Sequence, residues 1–297
     1  MFSVLIPTFN YNCFPFVREL HIQLLKEKIN FEIICFDDGS NSELNLENEK
    51  INSLSNSKFE ALKINLGRSS IRNSLVREAK HDWILFLDAD GFPVENNFIK
   101  TYLNNINNFG QNFSGFVGGR VHERKKEKNL RVNFGIKREE LPVDIRNKNP
   151  YRFFFTSNIA LKKVIFESIN FNEKLIGYGY EDLLFGNEMR EKKYKISHIN
   201  NPVYHLNIED NVVFINKTKQ GLNNLFFLKQ QKLIHEKDIK ILIYFNKIKR
   251  LGLKSIMKNK LNFFINKAIN TSSLFYYDLF KLSYLLSLND EEIDETK

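Results

Sequence analysis

The stretch NLGRSSIRNSLVREAKHDWILFLDADG, residues 65–91, contains the signals of a helix and of a buried strand in direct succession. A helix is expected from Ser69 to Ala79. Ser69 and Ser70 can cap its start, and the apolar residues that follow recur on one helical face. The run 83–87 is continuously apolar, which is typical of a strand that is covered on both faces of a parallel sheet. The stretch therefore predicts a helix followed by an inner strand.

Two further strand signals lie upstream. They are the β-rich runs at 4–6 and 31–36, with a helix-like segment at 16–28 between them. Strand, helix and strand in this order predict an α/β fold with a mostly parallel sheet and helices on both faces.

Polar or acidic residues follow each of these three strands. In open parallel sheets ligands bind beyond the carboxyl ends of the strands, where the connecting loops meet. The sequence therefore predicts a ligand-binding crevice formed by Thr8 and Asn10, by Asp37 and Asp38, and by Asp88 and Asp90.

The Asp88-Ala89-Asp90 turn has two chemical interpretations. Carboxylates at positions i and i+2 can face one crevice, and hard oxygen ligands suit Mg²⁺ or Mn²⁺ shared with substrate phosphates. Alternatively the aspartates only bond to the backbone of a turn, which is the commoner use of this residue.

Two downstream features favour the metal interpretation. Glu181 and Asp182 start a predicted helix after the loop 177–180, either as residues favoured by the helix dipole or as a positioned general base. His205 lies on a short apolar run, where a lone histidine is most often a core residue. It becomes a candidate ligand if the acids bind a divalent ion.

Composition limits the class of protein. The chain has 297 residues and is 42% hydrophobic, which excludes a disordered or collagen-like protein. Two cysteines, Cys13 and Cys35, are too few for a disulfide framework and predict a reducing compartment. No run can span a bilayer, and the chain begins with a strand rather than a basic leader, so a cytoplasmic protein is expected.

The net charge of +9 comes from one stretch near the C-terminus. Residues 1–210 hold 29 basic and 27 acidic residues, whereas residues 211–270 hold 13 basic and two acidic ones. This basic, apolar stretch predicts a helical region at 216–297 that follows a catalytic domain at 1–215. It can be a helical appendage packed on that domain, an amphipathic surface on the anionic inner leaflet or, less favoured, a nucleic-acid-binding segment.

The ordered set of motifs resembles the glycosyltransferases of the family 2 type, which have the GT-A fold. The resemblance covers residues 1 to about 210. The matching pieces are VLIPTFN at 4–10, FDDGS at 36–40, the stretch 65–91, SNIALKK at 157–163, GYGYEDLLFGNEMR at 177–190 and VYHL at 203–206.

The resemblance implies a role for each matching position. Asp182 falls on the family's catalytic base, and Glu181 falls on the residue that meets the acceptor. Asp90 and His205, with Asp88, fall on the metal site. The nucleotide-binding positions are Pro7, Phe9, Asp38, Arg72, Asn73, Asp88 and Ala89.

The implied activity is that of a metal-dependent, inverting glycosyltransferase. It would use Mn²⁺ or Mg²⁺ and move a sugar from a nucleotide-sugar donor, with UDP expected, to a hydroxyl of a glycan or lipid-linked acceptor in surface polysaccharide synthesis. Two alternatives remain: a non-catalytic sugar-nucleotide-binding module on the same fold, and a nucleotidyltransferase. A nucleotidyltransferase is expected to carry a Gly-rich phosphate loop after the first strand, and residues 7–10 are not such a loop.

Overall fold

The structure is a computed structural model that describes residues 2–124 and 128–288. These residues form two compact units. The first takes in the chain up to Glu123 and residues 138–174 and 181–207, and the second takes in the segments between these and the chain from Ile208 onward. The predicted division into domains 1–215 and 216–297 concerns which parts fold alone, and it stays a prediction.

Ten strands occur in the described residues. They are β1 (Phe2–Thr8), β2 (Phe31–Asp37), β3 (Ser57–Ala61), β4 (Trp83–Leu87), β5 (Gly91–Pro93), β6 (Gly115–Val117), β7 (Arg120–His122), β8 (Asn158–Lys162), β9 (Ile196–His198) and β10 (Val203–His205).

Twelve α-helices occur in the same part of the chain. They are α1 (Phe14–Lys26), α2 (Asn45–Asn48), α3 (Arg68–Glu78), α4 (Phe98–Phe109), α5 (Leu130–Arg138), α6 (Val143–Lys148), α7 (Glu181–Glu191), α8 (Asn211–Gln230), α9 (Lys240–Arg250), α10 (Lys254–Asn259), α11 (Leu261–Thr271) and α12 (Leu274–Ser287).

The first unit is built on a seven-stranded sheet in the order β3-β2-β1-β4-β8-β6-β9. All neighbouring strands are parallel except β8, which runs antiparallel to both β4 and β6. Phe2 of β1 lies opposite Phe31 of β2 and Trp83 of β4, so these three parallel strands end at the same edge. The mostly parallel α/β sheet that the sequence predicts is confirmed.

Alternate residues of the inner strands enter two separate cores. On β4, Leu85 and Leu87 pack with α1 and α4 on one face, whereas Ile84 and Phe86 pack with α3 and α7 on the other. A strand with cores on both faces needs apolar residues at successive positions. This explains why the run 83–87 shows no alternation of apolar and polar residues.

A second, three-stranded sheet in the order β5-β10-β7 lies in the same unit. Its central strand β10 places His205 opposite Gly91 of β5 and opposite His122 of β7. Since Gly91 directly follows Asp90, this pairing joins two motifs that are more than a hundred residues apart in the sequence.

The second unit is helical. Residues from α5, α8, α11 and α12 form its core, and they are Leu130, Phe214, Ile215, Phe264, Ala268, Tyr277 and Phe280. The side chain of Asp210 caps α8 by accepting a 2.8 Å hydrogen bond from the Val213 amide. Among the described residues, no helix combines the length and apolar character needed to cross a membrane.

Candidate active site

The ends of β1 and β2 form one side of the predicted crevice. Phe9 directly follows β1 and is 57% exposed, so its ring is open to a ligand. Asp38 accepts hydrogen bonds from the Leu66 and Gly67 amides at 2.7 and 3.0 Å, which fixes the loop before α3. Burial raises the pKa of Asp38, and these two hydrogen bonds oppose the rise.

Two other predicted nucleotide residues lie at this side of the unit. Pro7 is the half-buried penultimate residue of β1, opposite Phe36 of β2. Ala89 is buried in the core that packs against α1 and α4. The structure thus gives Ala89 a packing role, and contact with a nucleotide stays a prediction for both residues.

The turn after β4 holds Asp88 in place by its backbone and its side chain. The Asp88 amide donates to the Ser157 carbonyl at 3.2 Å, and the Gly91 amide donates to the Asp88 carbonyl at 3.0 Å. One carboxylate oxygen accepts a 3.1 Å hydrogen bond from Nη2 of Arg72. Burial alone would raise the pKa of Asp88, but the nearby arginines outweigh it and hold that pKa below its ordinary value.

Asp90 and His205 face each other across the β5–β10 pair. Oδ2 of Asp90 lies 3.2 Å from Nε2 of His205, and the Leu206 amide donates to the Asp90 carbonyl at 3.0 Å. Nδ1 of His205 is buried and has no hydrogen-bond partner among the described residues. The His205 ring instead packs edge-on against the ring of His122, at 5.4 Å between centroids.

The Asp90–His205 pair fits a divalent cation. Neighbouring ligands of an octahedral ion at about 2.1 Å from the metal lie about 3 Å apart, close to the separation of these two atoms. The described residues contain no group of three or more His, Cys, Asp or Glu side chains that could hold a metal by itself. Two protein ligands with substrate phosphates completing the shell is the usual arrangement for Mg²⁺.

Glu181 and Asp182 start α7 and differ in their surroundings. Glu181 is 5% exposed and accepts a 2.7 Å hydrogen bond from Nε of Arg68. Burial would raise its pKa, but the Arg68 and Arg72 charges hold the pKa of Glu181 below its ordinary value. Glu181 is therefore ionised, and its carboxylate is hydrogen-bonded to Arg68.

Asp182 is the carboxylate whose ionisation is disfavoured. Its two oxygens accept hydrogen bonds from Thr156, at 2.6 Å from the hydroxyl and 3.2 Å from the amide. Burial and the neighbouring Glu181 charge raise the pKa of Asp182 to about 6, against the opposing effects of Arg72, Thr156 and Arg68. A carboxylate whose pKa lies near neutral pH can accept a proton during a reaction and release it afterwards.

Arg72 joins the two acidic elements. Its guanidinium is 2% exposed, with Nη2 on Asp88 and Nη1 at 3.6 Å from Glu181. A buried arginine between two carboxylates is stabilised only while both are ionised. The acids after β4 and the acids at the start of α7, predicted separately from sequence, thus belong to one site.

Asn73 joins α3 to a distant segment of the chain. Its amide donates to the Phe171 carbonyl and to Glu173, and its oxygen accepts from the Phe171 amide, all within 2.8–3.0 Å. The observed role of Asn73 is to hold the segment 171–173 to α3. Contact with a nucleotide stays a prediction.

A buried polar cluster beside His205 was missed at the sequence level. His122 contacts Glu139 through Nε2 at 3.3 Å and Glu140 through Nδ1 at 3.2 Å, and Arg120 lies 3.7 Å from Glu139. Glu139 and Glu140 lie in a charged run of the sequence, yet their side chains are only about 10% exposed. Only the pairing of β7 with β10 brings this segment to the site, and no local sequence signal shows that pairing.

The chain is similar in fold to two glycosyltransferases of known structure. One is the crystal structure of Staphylococcus aureus TarS 1–349 in complex with UDP, with 19% identity over 96% of this chain and 89% of that chain and a TM-score of 0.52. The other is the mannosyltransferase PcManGT from Pyrobaculum calidifontis in complex with GDP-Man and Mn²⁺, with 11% identity over 95% of this chain and 85% of that chain and a TM-score of 0.55.

Sequence comparison gives the family. No curated protein matches the chain in sequence. The model of glycosyl transferase family 2 matches residues 3–169, which is more than half of the chain and includes β2 to β8 and all of β1 except Phe2. The chain therefore belongs to glycosyl transferase family 2 and has the GT-A fold.

Proposed function

We propose that this protein transfers a sugar from a nucleoside diphosphate sugar to an acceptor hydroxyl with inversion at the anomeric carbon. The observation that carries this proposal is the position of Arg72, which contacts Asp88 through Nη2 and approaches Glu181 at 3.6 Å. These contacts support a single site in which acids suited to a metal-bound diphosphate lie beside acids suited to proton transfer.

The donor occupies the crevice beyond β1, β2 and β4 in this proposal. The exposed Phe9 ring offers a stacking surface for the base, and Asp38 fixes the loop that borders it. We propose a uridine diphosphate sugar as the donor. The fold similarity to TarS, whose structure contains UDP, supports it, whereas PcManGT contains GDP-Man and makes the guanosine donor the competitor to test.

Asp90 and His205 hold the divalent cation in this proposal. When bound, Mn²⁺ or Mg²⁺ acts as a Lewis acid that neutralises the charge of the departing diphosphate. This part of the site needs such help, because the segment 1–210 has nearly equal numbers of acidic and basic residues and the arginines at the site are already paired with carboxylates.

Asp182 is the general base. The acceptor oxygen forms a bond to the anomeric carbon, the bond from that carbon to the diphosphate oxygen breaks with its electron pair, and the acceptor proton passes to Asp182. Thr156 orients the Asp182 carboxylate through two hydrogen bonds. One displacement with one base inverts the configuration, and a positioned base contributes roughly 10²–10⁴-fold in rate.

The acceptor is proposed as a hydroxyl of a glycan or of a lipid-linked glycan, in the synthesis of a surface polysaccharide. Glu181 is nearly buried and held by Arg68, so we propose that Glu181 acts on the acceptor by fixing Arg68, which is 36% exposed in its side chain.

A thermal-shift screen tests the proposal. The full chain is heated with UDP, UDP-sugars, GDP and GDP-mannose, each with and without Mn²⁺, and a ligand that binds the folded state raises the midpoint. We expect a uridine nucleotide to raise the midpoint of unfolding, and to raise it further when Mn²⁺ is present. If only guanosine nucleotides stabilise the protein, the donor is a guanosine rather than a uridine nucleotide. If no nucleotide shifts the midpoint, donor binding is contradicted.

A further inference from the structure

Part of the second unit exposes large apolar side chains between basic ones. Ile243 on α9, Leu251 in the following turn and Ile256 on α10 are 48, 59 and 55% exposed. We call the group made by these three with Tyr244, Leu253 and Phe263 the α9–α11 face, and all six are more than a third exposed.

These residues are exposed because the helices already bury their other sides. On α9, Leu242 and Phe245 are buried, and on α11 Phe264 and Ala268 are buried. No residue of α10 is buried. The outward residues are therefore additional to the core, and the unit's own packing leaves them uncovered.

The turn between α9 and α10 carries two of the six residues of the face. Gly252 adopts a left-handed backbone with φ of 69°, and a Cβ there would meet no other atom within 4 Å. The residues on either side of it, Leu251 and Leu253, are both exposed. The turn therefore presents two large apolar side chains to the solvent.

The segment that carries the face has charges of one sign. Between Asp238 and Asp278 the chain contains no acidic residue, and it contains eight basic ones. Seven of the eight are exposed, and they are Lys240, Lys247, Lys249, Arg250, Lys258, Lys260 and Lys267. A partner of this face must be anionic and must also accept aliphatic side chains.

We propose that the α9–α11 face binds the surface of an anionic lipid bilayer. Four of its six apolar residues are aliphatic: Ile243, Leu251, Leu253 and Ile256. Aliphatic side chains enter the boundary between headgroups and acyl chains, whereas single-stranded nucleic acid is bound by aromatic stacking between basic residues. Basic residues at the rim meet the anionic headgroups, and each contributes about fivefold in affinity.

Vesicle sedimentation with the full chain tests this inference, and it does not depend on the transfer reaction. The protein is mixed with vesicles of phosphatidylcholine alone and with vesicles of equal parts phosphatidylcholine and phosphatidylglycerol. Binding to the mixed vesicles and at least tenfold weaker binding to the neutral ones is expected.

Two variants separate the apolar contribution from the charge. Combining Ile243→Ser, Leu251→Ser and Ile256→Ser is expected to weaken binding to mixed vesicles at least tenfold. Combining Lys247→Glu and Arg250→Glu is expected to weaken it more than tenfold and to make the remaining binding less sensitive to salt. All five residues are exposed, so circular dichroism should show an unchanged fold.

Matched controls change equally exposed residues away from the face. Leu46→Ser with Val212→Ser, and Lys100→Glu with Lys148→Glu, should bind the mixed vesicles as the parent does. The inference is overturned if the parent binds neither vesicle, if the serine variant binds as tightly as the parent, or if the controls lose as much as the variants. It is also overturned if single-stranded RNA binds more tightly than the mixed vesicles and the serine variant retains that binding.

Discussion

Arg72 determines how the acidic residues of the site can function. A guanidinium that is 2% exposed requires ionised partners, and it has them in Asp88 and Glu181. With those two acids committed to Arg72, Asp182 and Asp90 remain for chemistry. Asp182 has the raised pKa, and Asp90 has a histidine nitrogen beside it.

Replacing Asp90 tests the metal site at the scale of one residue. Asp90→Asn removes the charged ligand beside His205, so the gain in nucleotide affinity caused by Mn²⁺ should fall at least tenfold, as measured by calorimetry of UDP with and without the metal. Asp82→Asn, at an exposed position before β4, should leave that gain unchanged. An unaltered Mn²⁺ effect in Asp90→Asn would exclude Asp90 as the ligand.

The secondary structure around the site follows from local sequence only where the pattern is strong. The run 83–87 is strand β4 within one residue, because five successive apolar residues before two acids have few other structures open to them. The predicted helix at 69–79 starts one residue earlier, at Arg68, and Gly67 rather than a serine side chain stands at its N-terminal cap. Loop geometry, fixed by Asp38, determines that start.

The contributions of distant segments could not be predicted. Thr156 lies in no motif, yet it donates both hydrogen bonds to Asp182. His122 and Glu139 reach the site because β7 pairs with β10, and strand pairing across 80 residues has no local signature. Of the side chains that shift the pKa values of Glu181 and Asp182, the resemblance named Arg72 but neither Arg68 nor Thr156.

Replacing Asn73 tests the link between α3 and the segment 171–173. Asn73→Ala leaves the buried amide and carbonyl of Phe171 without partners, so the free energy of unfolding should fall by about 2–4 kcal/mol. Urea denaturation measures the loss, and Asn104→Ala on the exposed side of α4 is the control. An Asn73→Ala protein as stable as the parent would contradict the structural role.

The two units differ in charge. In the unit that holds the active site, Arg68, Arg72 and Arg120 are paired with carboxylates. The helical unit carries the basic surplus, including the eight basic residues between Asp238 and Asp278. The net charge of +9 therefore predicts little about how the active site handles a diphosphate, and it bears on what the helical unit binds.

The lowered pKa of His198 predicts how the stability of the whole molecule depends on pH. It is 2% exposed, accepts a hydrogen bond from Arg146 at Nδ1 and donates one to the Pro150 carbonyl from Nε2, which fixes the neutral ring. Burial, with the Arg146 charge, lowers the pKa of His198 to about 4, although the hydrogen bond to Pro150 opposes this. The unfolded chain, with an ordinary pKa near 6.5, takes up this proton first as the pH falls.

Stability should therefore be lost between pH 6.5 and 4, by roughly 3 kcal/mol from this group alone. His198→Gln keeps one donor and one acceptor but cannot be protonated. Its unfolding free energy, measured by urea denaturation at several pH values, should fall less steeply over this range than that of the parent. An equal slope in both proteins would show that His198 is not responsible.

The reaction itself is tested most directly by the pH dependence of nucleoside diphosphate release. The parent and Asp182→Asn are incubated with a UDP-sugar and Mn²⁺, with water as the acceptor that displaces UDP from the sugar, and the UDP formed is measured across pH 5 to 8. UDP affinity is the control. Because the pKa of Asp182 is about 6, release by the parent should rise with pH through that value and then level. Asp182→Asn should bind UDP as the parent does, but it should form UDP from the UDP-sugar roughly 10²–10⁴-fold more slowly. Release by Asp182→Asn at the parent's rate would contradict the assignment of Asp182 as the base.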